Sequence, residues 1–190
     1  MPTELFNAVL AGNLTTVRSL IQSGADCNSC DDAGATLLML AAANGNLDMV
    51  NVLIESGADI HATDARGWTA LMKALYNHDL DCGFPEIVSA LIEAGADIET
   101  RIAYGTRPLM LAAGYGQAGV IDVLLAAGVD VRAENEGGRT ARKMAEDKDY
   151  IEVINQLYEA ELSIGELKGA CSTGPASGIK VVNFVRNNNQ

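Results

Sequence analysis

Positive charge is scarce in the first half of this chain. Residues 1–100 hold 3 Lys and Arg against 14 Asp and Glu, a net of −11, whereas residues 101–190 hold 10 against 11, a net of −1. A field of that sign repels phosphate backbones, so nucleic acid is not an expected partner, and it speeds encounter with a basic protein. Long apolar runs are missing too: no stretch reaches the roughly 18 residues that a membrane span needs. The start, "MPTELFNAVLAGNL", has no basic residue ahead of an apolar stretch, so no secretory signal is expected. Cysteine is sparse, at 4 in 190 residues, which argues against a disulfide scaffold and for a reducing, cytoplasmic setting. The 2 histidines, His61 and His78, fall in no triad or metallohydrolase motif, and no glycine-rich loop joins a strand to a helix. Neither catalysis nor a cofactor is expected.

What the chain does have is repetition. "SGADCN" at 23, "SGADIH" at 56, "AGADIE" at 94 and "AGVDVR" at 127 recur at spacings of 33, 38 and 33. A second set of marks keeps step with them. Counted from Thr3, Thr36, Thr69, Arg107 and Thr140, an alanine stands 5 residues later every time, at Ala8, Ala41, Ala74, Ala112 and Ala145. Thr36, Thr69 and Thr140 read as helix N-caps, whose hydroxyls accept from free N–H groups of the first turn. Leu38, Leu71 or Leu109 lies one turn from the small Ala of a short inner helix. A tight turn then leads to a second helix with an apolar stripe, such as Met49, Val50, Leu53 and Ile54, which is one buried helical face. Gly24, Gly57, Gly95 and Gly128 follow, where a left-handed residue ends the helix.

These residues resemble the ankyrin repeat, over roughly residues 3–160 as 5 units. The resemblance implies an all-α solenoid of antiparallel helix pairs with short β-hairpin fingers, stable only through stacking of neighbours. The array is assigned to residues 1–162 and a tail to 163–190. The chain departs from the family in places. The usual Thr-Pro-Leu-His has its His replaced by Phe6, Met39, Met72, Met110 and Lys143. Arg107 fills the cap slot of the fourth unit, with Pro108 after it, so a displaced helix start is expected there. In the last unit Arg142 and Lys143 replace apolar residues and Glu161 replaces the closing Gly, as suits a polar terminal cap.

Cys27-x-x-Cys30 has the spacing of a metal clamp or redox pair. The repeat gives another reading. Cys27 fills the slot held by Ile60, Ile98 and Val131, and so is expected to be a small buried hydrophobe, with Cys30 more exposed at the finger turn. His78 and Cys82 belong to the opposite end of a unit, too far away to complete one zinc site. The carboxylates Asp26, Asp59, Asp97 and Asp130 recur at the repeat period and are read as structural parts of the fingers.

The resemblance implies binding of a partner protein through the concave face and finger tips. The positions that the repeat leaves free include Asp32 and Asn44 in the second unit, Trp68, Tyr76 and Asn77 in the third, and Arg101, Tyr104, Thr106 and Tyr115 in the fourth. The single Trp and 3 of the 5 Tyr fall among them, all in adjacent units. Such residues dominate interface energetics when they cluster on a surface. The third unit also carries 5 extra residues within "YNHDLDCGFPEIV", a longer loop that adds Phe84 to the set and sets Pro85 near the start of the outer helix. Two other functions are weighed: an acidic inhibitor or immunity-type protein covering a basic enzyme such as a nuclease, and a metal- or thiol-dependent protein using Cys27 and Cys30. In the tail, "GACSTGPASG" reads as a flexible linker and Ile179–Val185 as a β-prone run. That run is expected to fold back on its own array, leaving a monomer; pairing with a second chain would give a dimer instead.

Overall fold

The computed structural model describes residues 2–168, so the linker and the Ile179–Val185 run lie outside the described residues. Among the described residues, ten α-helices alternate between inner and outer positions. The inner helices are α1 (Pro2–Leu10), α3 (Leu37–Ala43), α5 (Ala70–Ala74), α7 (Pro108–Gly114) and α9 (Ala141–Glu146), and the outer ones are α2 (Leu14–Gln22), α4 (Leu47–Glu55), α6 (Pro85–Glu93), α8 (Ala118–Ala126) and α10 (Ile151–Lys168). Each inner helix packs on its own outer helix and on the inner helices of the units beside it, and the outer helices stack likewise. This is a helical solenoid.

Local chemistry sets the boundaries. Thr36, Thr69 and Thr140 sit in extended backbone and accept from the N–H groups of Met39, Met72 and Lys143. Arg107 makes no side-chain cap bond, yet α7 still starts beside it at Pro108. The expected displacement does not occur, because proline at the first helical position presets φ and has no N–H to satisfy. The closing glycines take positive φ: 95° at Gly24, 86° at Gly57, 99° at Gly95 and 83° at Gly128. Glu161 takes their place in the last unit, and there the helix continues: α10 has 18 residues where α8 has 9.

The core is one continuous strip of buried side chains from Leu5 to Leu157. Met49, Val50, Leu53, Ile87, Val88, Leu91, Val120, Ile121 and Leu124 line its outer-helix side, and each contributes about 1.5–3 kcal/mol on burial. The alanines at 41, 74, 112 and 145 are at most 1% exposed, which is where inner helices approach closely.

In the second to fifth units, the residue just before the outer helix reaches back to the turn of the unit before. The Asn46 amide lies against Gly12, the Phe84 ring against Gly45 and the Tyr150 ring against Gly116, while Gln117 Oε1 accepts from Gly83 N–H at 2.6 Å. Gly12, Gly45 and Gly116 have φ of 67°, 70° and 69°, which suits their turns and leaves no Cβ in the way of these neighbours.

The fingers differ from the expected β-hairpins. No strand is present among the described residues, and only the isolated bridges Cys30–Thr36 and Asn77–Cys82 occur. Each finger is instead a closed turn. In the second, third and fifth units, Asp31, Asp64 and Asn135 accept through Oδ1 from the N–H groups two and four residues on. Such a side-chain turn satisfies the finger's N–H groups locally and leaves few for a ladder. Neighbouring fingers are joined by bonds such as Ala65 N–H to Ala33 C=O and Glu136 N–H to Tyr104 C=O, both 3.0 Å.

Candidate functional site

The fourth finger has Ile102 in the Asp/Asn slot and so lacks the side-chain turn. Its chain closes as a 3-10 turn over Ala103–Gly105, with Tyr104 at φ 60° and Gly105 at φ 69°. Tyr104 is 77% exposed on that tip, and its ring stands apart from the other aromatics of the candidate set. Arg101 is exposed just before the turn and Thr106 half-buried just after it. Asp32 is exposed on the second finger.

Trp68, Tyr76 and Tyr115 do come together. They line a groove of about 340 Å³ that runs beside α5, from the third finger at Arg66 and Trp68 to the loop after the helix at His78 and Asp79. Asn44, the exposed C-cap of α3, and Asn77 line it as well. The Tyr76 and Tyr115 rings are stacked, with centroids 4.2 Å apart and an interplanar angle of 5°. His78 stands edge-on to both, at 4.7 Å from Tyr76 and 5.6 Å from Tyr115. The third and fourth units therefore share one aromatic wall.

The loop that follows Tyr76 is held at many points. Asn77 donates from its amide to Ala43 C=O at 2.7 Å and accepts from the N–H groups of Asp79 and Leu80. Its backbone N–H donates to Cys82 C=O, and Phe84 N–H to Ala74 C=O. The Tyr76 hydroxyl donates to Asp81 Oδ1 at 2.6 Å, and Asp81 sits at φ 51°. That bond, with burial and the Asp81 charge behind it, pushes the Tyr76 pKa up to about 12. Phe84 is half-buried over Gly45, so its ring packs one unit onto the next.

At the finger end the groove is also lined by Lys73, which is not among the positions that the repeat leaves free. Its ammonium lies 2.7 Å from Asp64 and 5.2 Å from the centre of the Trp68 ring. Burial alone raises the Asp64 pKa, but the Lys73 contact and the N–H groups of Trp68 and Arg66 outweigh it and hold it below the ordinary carboxylate value. A signal for Lys73 was present: the equivalent inner-helix positions are Asn7, Leu40, Leu111 and Met144, so Lys73 is the one charged residue in that slot.

The cysteines separate as the repeat suggested. Cys27 is buried and its thiol donates to Ser56 C=O, while Cys30 is exposed. Burial, then the Asp26 charge, pushes the Cys27 thiol up, which makes it a poor nucleophile. Among the described residues, no group of 3 His, Cys, Asp or Glu is placed to hold a metal ion. Asp26, Asp59, Asp97 and Asp130 each accept from the N–H two residues on, so they are parts of the turn. No helix among the described residues is long and apolar enough to cross a membrane.

Comparison with known families agrees with this geometry. The family described as ankyrin repeats (3 copies) matches residues 5–102 and 80–166, and the chain belongs to it. Repeats of this family are generally protein–protein interaction modules, typically without catalytic activity. No curated protein matches the chain.

Proposed function

We propose that the chain is a non-enzymatic binding module that takes a partner protein into the groove of Trp68, Tyr76 and Tyr115. The observation that carries this reading is the aromatic wall itself. A stacked Tyr pair, an edge-on His and a Trp capped by Lys73 line one open groove across two adjacent units. Rigid, half-buried aromatics provide contact area at little cost in side-chain entropy. The net charge of −11 over residues 1–100 favours a partner with a basic surface. Arg101, Tyr104, Thr106 and Asp32 then belong to a finger-tip rim outside the groove.

The test is affinity capture from source-cell extract with the wild type, a Trp68→Ala/Tyr115→Ala variant and a Tyr104→Ala variant, all checked by thermal melts. A partner held by the wild type and by Tyr104→Ala, but lost from the double variant, is the expected result. Retention by the folded double variant moves the contact away from the groove.

A further inference from the structure

The two ends of the groove differ in charge. Arg66, at the finger end, is exposed and makes no ion pair among the described residues. Lys73 beside it is matched by Asp64, so the net charge at that end is the one Arg66 supplies. Asp79, at the loop end, is likewise exposed and without an ion pair among the described residues. The N–H groups of Asp79 and Leu80 donate to Asn77 Oδ1, which holds the loop backbone at Asp79. Between the ends lie the stacked rings of Tyr76 and Tyr115, which offer ring surface.

We propose that this groove binds an extended segment of the partner in one direction only. An acidic side chain meets Arg66, an apolar or aromatic one lies on Tyr76 and Tyr115, and a basic one meets Asp79. The proposal rests on the groove being the partner site. Its specificity comes from position: a segment laid in reverse sets like charge against like at both ends.

A displayed library of random short peptides, selected on the immobilised full chain, tests this. Enriched sequences are expected to share an acidic residue, an apolar or aromatic residue and a basic residue in one fixed order. The exchange variant Arg66→Asp/Asp79→Arg, with a melt matching the wild type, is expected to bind those peptides about tenfold more weakly and to enrich the opposite order. Peptides lost on Tyr115→Ala but indifferent to the exchange keep the groove as the site and overturn the polarity. Peptides that survive Tyr115→Ala overturn both readings, and a selection that enriches nothing overturns the proposal.

Discussion

Asp64 joins three parts of the third unit. One carboxylate oxygen closes the finger turn by accepting from Arg66 and Trp68, and the other meets Lys73 on α5, with only 6% of the side chain exposed. Asn135 closes the fifth finger with the same bonds, so Asp64→Asn keeps the turn and removes the charge alone. The expected loss is about 1 kcal/mol at neutral pH. Because the folded-state pKa lies below the unfolded value of about 4, this contribution is present above pH 4 and lost as pH falls through the folded pKa. Melts in descending pH should therefore show the wild type and Asp64→Asn converging in acid. Tyr76 runs the other way. With a pKa pushed up to about 12, its stabilisation is present below about pH 10 and lost as pH rises through 12. In ultraviolet titration Tyr76 should ionise at about 12 in the wild type, and Asp81→Asn should bring that step back toward 10.

At the scale of single elements, Gly83 tests how the longer loop returns to the stack. A Cβ there would lie 2.4 Å from Leu75 O and 2.6 Å from Val120 Cγ2. Gly83→Ala is expected to cost about 1–3 kcal/mol in denaturant melts. Gly114, at the end of α7, meets nothing within 4 Å and has no positive φ, so Gly114→Ala is expected to gain about 0.5–1 kcal/mol. Features of this kind were unequally legible. The caps at Thr36, Thr69 and Thr140, the closing glycines and the apolar stripes depend on a few neighbouring residues and a fixed period, so the sequence displays them. Pro108 was visible too, but its control over the α7 start outweighed the missing cap at Arg107. The hairpin form of the fingers was an expectation carried over from the family resemblance. The Oδ1 bonds of Asp31, Asp64 and Asn135 decided otherwise. The groove was half legible: free positions named Trp68, Tyr76 and Tyr115. That Tyr76 stacks on Tyr115 while Tyr104 stands apart depends on how two units sit against each other. Phe84 shows the same limit, since its packing on Gly45 requires knowing which turn lies beneath it.

For the whole molecule, stability is a sum over units and the contacts between them, so position along the array decides how a lesion spreads. Leu53 lies in the interior of the strip and is fully buried; Leu53→Ala is expected to cost about 2–5 kcal/mol. Arg142 holds Glu161 and Glu146 in the last unit, at 3.0 and 2.6 Å. Arg142→Ala is expected to speed hydrogen exchange in α9 and α10 and leave α3 and α4 unchanged. The contacts from each outer helix back to the preceding turn continue through the third unit despite its 5 extra residues, Phe84 meeting Gly45 and Gln117 meeting Gly83 as their counterparts do elsewhere. Pitch and loop length are thus independent variables in this protein. The segment between Asn77 and Cys82 is thus expected to serve as a port in the scaffold, its contents open to exchange or lengthening with both flanking units still in register.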